Sequence, residues 1–396
     1  MILQADYLVT GDGRTVLKDG AVRLDGGLIT MVGPAESVRA ARPGDRVQTF
    51  PGATLMPGMI DLHNHIAYFD GQPNREDFLR SPALRALFAA RRMADTLRAG
   101  VTTIRDVSSA DYIGVALTKA ARAGYLDTPH IFTCGRGLCI TGGHGSTLPA
   151  DACVEVDGVE EVRKAVRANL KAGANCIKLL TSEGYRGEEM RQEEISAAVE
   201  EAHRFGVRVA AHAGYGPSIQ MCIDAGCDTI EHGTHLTAAQ CRQMRENGQT
   251  WVPTIYVFEY SLQQVESSGH IDDIMRNNVA YLRDSCETYE KNFKALYDTG
   301  VRVACGTDTD CCDYPEAAPV ATECQWMVRL GLTPLEAIAC ATRNGAEALG
   351  IGGRTGLLQA GYEADVIAVR GRPFEDISAL SQVEAVYLSG RQVVGA

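Results

Sequence analysis

The sequence has no apolar stretch near the ~20 residues that a bilayer span needs. A typical run, 207–213, is already broken by Arg208 and His212, so no membrane-spanning segment is expected. A basic surplus is also missing, because 38 Lys and Arg stand against 50 Asp and Glu for a net charge of -12. Such a chain offers no basic face to nucleic acid and is repelled by an anionic membrane surface, which excludes both as expected partners. The 13 cysteines include no Cys-x-x-Cys pair, and their odd number fits reduced, buried thiols better than a disulfide frame or a structural zinc knuckle. Only Cys311 and Cys312 are adjacent, and neither has an assigned role. The first residues carry no basic n-region or apolar h-region, so no secretory signal is expected and a cytoplasmic location follows. Low-complexity tracts and charge runs are absent too.

What is present is enough for a sizeable core, with 45% hydrophobic residues in a chain of 396. One junction recurs, in which a helical pattern stops at glycine and an apolar, β-branched run begins at once. It occurs at Gly100 before VTTIRDV, Gly173 before ANCIKLL, Gly206 before VRVAAH, Gly226 before CDTIEH, Gly248 before QTWVPT and Gly300 before VRVACGTD. Glycine after a helix takes the left-handed conformation at little cost, so each junction predicts a helix stop and then a buried strand. The helical sides agree: Val159, Val162, Val166 and Leu170 share one face, as do Ile195, Val199, Ala202 and Phe205. Adding MIDLHNH (59–65) and HIFTCG (130–135) gives eight strands alternating with helices. That count predicts an α/β protein with a closed TIM (β/α)8 barrel over residues 57–356. Residues 1–56 and 357–396 instead read as short alternating strands, with turns at Gly11-Asp12-Gly13 and Asp25-Gly26-Gly27 and with ADVIAV and AVYLSG in the tail. The two flanks are expected to form one small β-sandwich domain.

In such a barrel, catalytic groups collect at the carboxyl ends of the strands. Strand one ends in His63-Asn64-His65, strand four in Lys178, strand five in His212, strand six in Glu231-His232 and strand eight in Gly306-Thr307-Asp308. Residues i and i+2 on a strand point the same way, so His63 and His65 can share one ion. A single buried histidine is commonly a hydrogen-bonded core residue. Four of only nine histidines at strand ends, with an aspartate, predict a metal site. His144 lies in a Gly-rich loop after strand three, Tyr215 follows His212 by three residues, and His235 follows His232 by three. All three are candidates for substrate contact, with plain loop roles equally open for Tyr215 and His235. His130, His203 and His270 lack such placement. Segments 136–157, 181–192 and 255–272 read as long loops that shape specificity. Asp310, Asp313, Glu316 and Glu259 fit a solvated rim better than an acidic pocket in so negative a chain, and Arg186 is a candidate partner for a substrate carboxylate.

Taken together, PGMIDLHNH (57–65), AGVTTIRD (99–106), TGGHG (141–145), IKLL (177–180), AAHAG (210–214), IEHG (230–233), GTD (306–308) and AGYEADVIAV (360–369) resemble the amidohydrolase superfamily over almost the whole chain. Within it, the chain looks most like the imidazolonepropionase-like branch that includes Xaa-Arg and Xaa-Pro dipeptidases and ochratoxin-type amidases. The resemblance implies two divalent metal ions, expected to be zinc. His63, His65 and Asp308 would hold one and His212 and His232 the other, with Lys178 bridging both as a carboxylated lysine. It also implies that His144 works near the scissile group or the substrate carboxylate, and that the protein is a homo-oligomer. Two metals lower the pKa of a shared water, giving a hydroxide that attacks a carbonyl, and Asp308 would pass the proton to the leaving amine.

The expected function is therefore a binuclear metal-dependent hydrolase of an amide or peptide-like C–N bond in a small molecule, an N-acyl amino acid or dipeptide. Three alternatives stand beside it: a mononuclear deaminase of the same superfamily, a hydrolase of a lactam, carbamate or ester, and a non-catalytic scaffold. Similar deaminases carry a Glu three residues after the strand-five His and lack the strand-four Lys. Here Tyr215 and Lys178 occupy those places.

Overall fold

The structure is a computed structural model and describes residues 1–40, 44–67, 81–148, 152–183, 187–268, 273–309 and 314–395. Arg186, His270, Asp310, Cys311, Cys312 and Asp313 lie outside the described residues.

The chain has an α/β fold. Its amino-terminal flank forms Ile2–Val9 (β1), Val16–Asp25 (β2), Leu28–Pro34 (β3) and Val47–Pro57 (β4). Next come Met59–Asn64 (β5), Val101–Asp106 (β6), His130–Thr133 (β7), Gly137–Cys139 (β8), Cys153–Glu155 (β9) and Cys176–Leu180 (β10). A hairpin of Ser182–Glu183 (β11) and Gly187–Glu188 (β12) precedes Arg208–Ala213 (β13), Thr229–His232 (β14), Thr250–Val252 (β15) and Arg302–Val303 (β16). The carboxyl-terminal flank adds Val366–Arg370 (β17), Val383–Leu388 (β18) and Arg391–Val394 (β19).

Each of the eight runs marked by the sequence contains a strand: β5, β6, β7, β10, β13, β14, β15 and β16. The glycines before six of them have positive φ, from 68° at Gly206 to 116° at Gly173, as a left-handed helix stop requires. β5, β6 and β7 pair in parallel, and β10, β13, β14, β15 and β16 form a second parallel run. Scattered backbone hydrogen bonds connect the two sets through adjoining residues. The Asn175 amide donates to Thr133 O at 2.9 Å, the Leu62 amide donates to Cys305 O at 3.0 Å, and Asn64 bridges Thr309 in parallel. Between β7 and β10 the chain inserts β8 and β9, a parallel pair inside what the sequence suggested was loop.

Helices pack against the strands because their apolar stripes match them. Val162, Val166, Ile195 and Val199 are buried in one cluster with Ile177, Leu179, Val209, Ile230 and Trp251 from the strands. Phe205 departs from the expected stripe and is 59% exposed, because the helix Gln192–Arg204 ends before it and Phe205 serves as the cap at φ -100°. Residues 255–268, expected as loop, form the helix Ile255–Ser268. Its first turn is held by a residue distant in sequence: the Glu323 carboxylate accepts the backbone amides of Ile255 and Tyr256, each at 2.8 Å.

The flanks pair into one seven-stranded sheet ordered β19-β18-β17-β4-β1-β2-β3, where two stacked sheets were expected. This sheet has its own apolar cluster, including Leu3, Leu8, Val22, Leu55, Val366 and Tyr387. Among the described residues, 11 cysteines are free and buried, and no helix is long and apolar enough to cross a membrane.

Candidate metal centre

Parallel register decides which side chains meet. Leu180 stands opposite His212 and Ala213 opposite His232, so the histidines of β13 and β14 lie one residue apart in register at adjacent strand ends, while Lys178 lies two residues deeper in β10. His232 and Asp308 have φ of 63° and 55°, a left-handed backbone that L residues rarely adopt. Alternation would send Glu231 and His232 to opposite faces. With His232 in this conformation both reach His63: Glu231 Oε2 lies 2.8 Å from His63 Nδ1, and the His232 ring is 4.9 Å from the His63 ring.

Six expected ligands come together. His63 Nε2 and His65 Nε2 lie 3.5 and 3.1 Å from Asp308 Oδ1, and Lys178 Nζ lies 3.5 Å from His63 Nε2. The His212 ring is 4.5 Å from that of His232. His63, His65, Lys178, His232 and Asp308 are buried, and His212 is the most open of the set. Neighbouring groups hold the framework. The His232 Nδ1 lies 2.7 Å from Thr254 Oγ1, and its carbonyl accepts the Trp251 indole at 2.6 Å and the Tyr289 hydroxyl at 2.9 Å. Asp61 accepts the Thr307 amide and hydroxyl at 3.0 and 2.7 Å, tying the first strand to the segment that carries Asp308.

The electrostatics favour donor forms. Burial pushes His63 down to about 4, with Lys178 acting in the same direction. Burial likewise holds His212 and His232 well below the usual histidine range, so all three imidazoles are neutral and have lone pairs to give. Burial pulls the Lys178 ammonium down against the pull of Glu231 and Asp308. For Asp308 burial acts upward, but His63 and His65 outweigh it and keep the carboxyl well below its ordinary range. Donor atoms of His63, His65 and Asp308 all lie within 4.8 Å of one another. Neutral imidazoles beside an ionised carboxylate are a donor set that fits a divalent ion.

The expected substrate residues divide. The His144 ring lies 4.7 Å from the His212 ring, and its backbone amide donates to both oxygens of Glu189 at 2.9 Å. Tyr215 precedes the helix Gly216–Ala225 with its ring beside Gly187 of the β12 strand. His235 has both ring nitrogens engaged, Nδ1 with Gly214 O at 2.9 Å and Nε2 with Asp284 at 3.0 Å, and this anchors it to the loop. His203 pairs with Asp228 at 2.8 Å, and His130 lies beside Asp365 at the opposite ends of the strands. Glu316 is exposed and accepts from Thr322 Oγ1 at 3.4 Å. Residue-type reasoning missed Thr254, Glu189 and the partners of Glu231. One signal was available, since Arg105 inside the fully buried strand VTTIRD had to have a buried partner.

An α/β fold with histidines and an acid gathered at strand ends defines a hydrolase scaffold with a candidate metal centre. The chain belongs to the amidohydrolase family, whose profile matches residues 54–393. Ochratoxinase of Aspergillus niger is 32% identical over an alignment covering 97% of this chain and 84% of that protein. The crystal structure of A. niger ochratoxinase superposes with a TM-score of 0.88 at 30% identity, covering 100% of this chain and 95% of that one. A Xaa-Pro dipeptidase with methionine bound in its active site gives 0.87 at 28% identity, with 100% and 99% covered. Imidazolonepropionase of Stenotrophomonas maltophilia is 26% identical over 91% of this chain and 88% of that protein.

Proposed function

We propose that the protein is a binuclear metal-dependent amidohydrolase that cleaves an amide or peptide-like C–N bond in a small N-acyl amino acid or dipeptide. The observation that carries this reading is the convergence of His63, His65, His212, His232, Lys178 and Asp308, with burial holding His63, His212 and His232 in the neutral form. His63, His65 and Asp308 would hold one ion and His212 and His232 the second, with zinc as the expected metal. Lys178 would bridge them as a carbamate; burial favours its neutral amine, the form that adds CO2. When bound, such ions supply a water acidified toward neutrality and a Lewis acid for the substrate carbonyl. Asp308 would be the group that takes up a proton and passes it to the leaving nitrogen. His144, beside His212, holds the carbonyl end or carboxylate of the substrate. Tyr215 lines the approach, and His235 acts on the substrate through the loop it braces. The likeness to a Xaa-Pro dipeptidase supports a substrate with a carboxylate beside the scissile bond.

This reading assumes that β5 to β7, β10 and β13 to β16 close as a (β/α)8 barrel over residues 57–356. It also takes 1–56 and 357–396 as one small domain whose sheet folds over its own core. The test is amine release from a panel of dipeptides and N-acyl amino acids, using protein prepared with zinc and bicarbonate, alongside metal content per chain. Cleavage confined to one C-terminal residue type, with two ions per chain, is expected. One ion and release of ammonia from a ring would establish a deaminase instead, and no ion and no turnover a scaffold.

A further inference from the structure

Two charged residues in the quoted motifs have no part in the chemistry above, yet they are among the most deeply buried in the molecule. Arg105 on β6 is 2% exposed and Glu231 on β14 is 0% exposed. Burial on this scale demands complete pairing. Glu231 divides its oxygens between two duties: Oε1 accepts Arg105 Nη2 at 2.7 Å and the Thr229 hydroxyl, while Oε2 faces His63 Nδ1 at 2.8 Å. The remaining Arg105 nitrogens reach Leu62 O at 2.7 Å and Thr229 Oγ1 at 2.9 Å. Leu62 immediately precedes His63, so Arg105 grips the backbone of that strand directly and the His63 ring through Glu231. A carboxylate has no proton to donate, so the hydrogen between Glu231 and His63 belongs to Nδ1. The Nε2 lone pair is then left facing Lys178 Nζ and Asp308 Oδ1, each 3.5 Å away.

We propose that Arg105 and Glu231 are positioning residues for the metal centre: Glu231 locks His63 into the Nδ1–H tautomer with Nε2 free to ligate, and Arg105 locks Glu231. The inference rests on the metal reading above. An ion pair that served packing alone would hold the strands together without selecting a tautomer. In Glu231→Gln, Arg105 and Thr229 are both donors, so they retain the amide oxygen. The amide NH2 group then turns to His63 Nδ1, which becomes an acceptor and moves the ring hydrogen to Nε2.

The experiment reads the tautomer directly, by long-range 1H–15N correlation of histidine-labelled, metal-free protein, with the His63 signal assigned by its loss in His63→Gln. Wild type is expected to show Nδ1–H, and Glu231→Gln is expected to show Nε2–H. Zinc affinity, measured by chelator competition, should fall about 10- to 100-fold in Glu231→Gln and in Arg105→Ala, the range found when such supporting partners are removed. A cavity of about 290 Å3 lined by Arg105 gives added guanidinium a route to the vacated place. Guanidinium should therefore restore zinc affinity to Arg105→Ala and leave Glu231→Gln unchanged. An Nε2–H signal in the wild type, or zinc affinity in Glu231→Gln within twofold of the wild type, overturns the proposal. If the wild type binds no zinc, the metal reading itself falls and the ligation role falls with it; the metal-free tautomer separates that failure from the other.

Discussion

Both ends of the strands use the left-handed backbone, but the carboxyl-terminal ends also give it to residues with side chains. At the amino-terminal ends it falls to glycine, at Gly100, Gly173, Gly206, Gly226, Gly248 and Gly300. At the carboxyl-terminal ends it falls to His232, Thr254 and Asp308, with φ of 63°, 50° and 55°. An L residue in this conformation costs about 1 to 2 kcal/mol. The first set fits a plain helix stop, whereas the second lies at the candidate metal centre, the kind of place where such strain is kept. Acidic groups differ too, although Asp308 beside the histidines is held low. At the mouth, burial pushes Asp61 up to about 6 and Glu323 up to about 8. At the opposite end exposed Asp127 pairs with Arg391, which lowers its carboxyl.

The largest break in this contrast should come from Asp308→Asn. It is expected to keep bound metal and lose about 100- to 10,000-fold in kcat, the span of a general acid–base group; near-normal turnover by metal-replete protein contradicts the role given to Asp308. Thr254→Val keeps a β-branched side chain at φ 50° but removes the oxygen 2.7 Å from His232 Nδ1. Metal affinity should drop about tenfold, and stability by about 1 to 3 kcal/mol for a buried group left unpaired, read from chelator competition and urea midpoints.

A third test is pH. Glu323 has its carboxyl raised from 4.5 to about 8 in the folded chain, so folding takes up a proton between those values. Its stabilising contribution is complete below pH 4.5 and disappears as pH rises through about 8. Urea midpoints at pH 5, 6, 7 and 8 should fall more steeply in the wild type than in Glu323→Gln; parallel curves would refute the shift. The smallest effect belongs to Gly206→Ala. An added Cβ there meets nothing within 4 Å, so only the φ of 68° is penalised. A loss of about 1 kcal/mol with unchanged kcat/KM is expected, and a fall in kcat/KM would erase the distinction between the two ends.

Much of this was legible because it is local. A glycine stop followed by a β-branched run needs only neighbouring residues, and six of the eight strands follow from it. Histidines and an aspartate at strand ends likewise marked the candidate ligands without any knowledge of packing. The failures involve partners far apart in sequence. The helix Ile255–Ser268 was hidden because Glu323, which holds its first turn, lies on another helix. Glu189 grips His144 across 45 residues, and Arg105 meets Glu231 across 126. Phe205 misled because the apolar spacing continued one residue beyond the last helical turn.

Asp61 and Thr307 lie 246 residues apart, and β5 gains backbone partners on its second side only when residues 305–309 and then Ala341 are in place. At about 5 to 20 residues per second, a ribosome takes about 12 to 50 s to deliver Thr307 after Asp61. Until then one side of the MIDLHN strand remains an open edge of unpaired amides and carbonyls, the kind of template on which chains associate wrongly. His63 and His65 emerge early but lack Asp308 throughout this interval. The candidate ligand set is therefore complete only late in the synthesis of each chain, and until then the MIDLHN strand keeps one edge open.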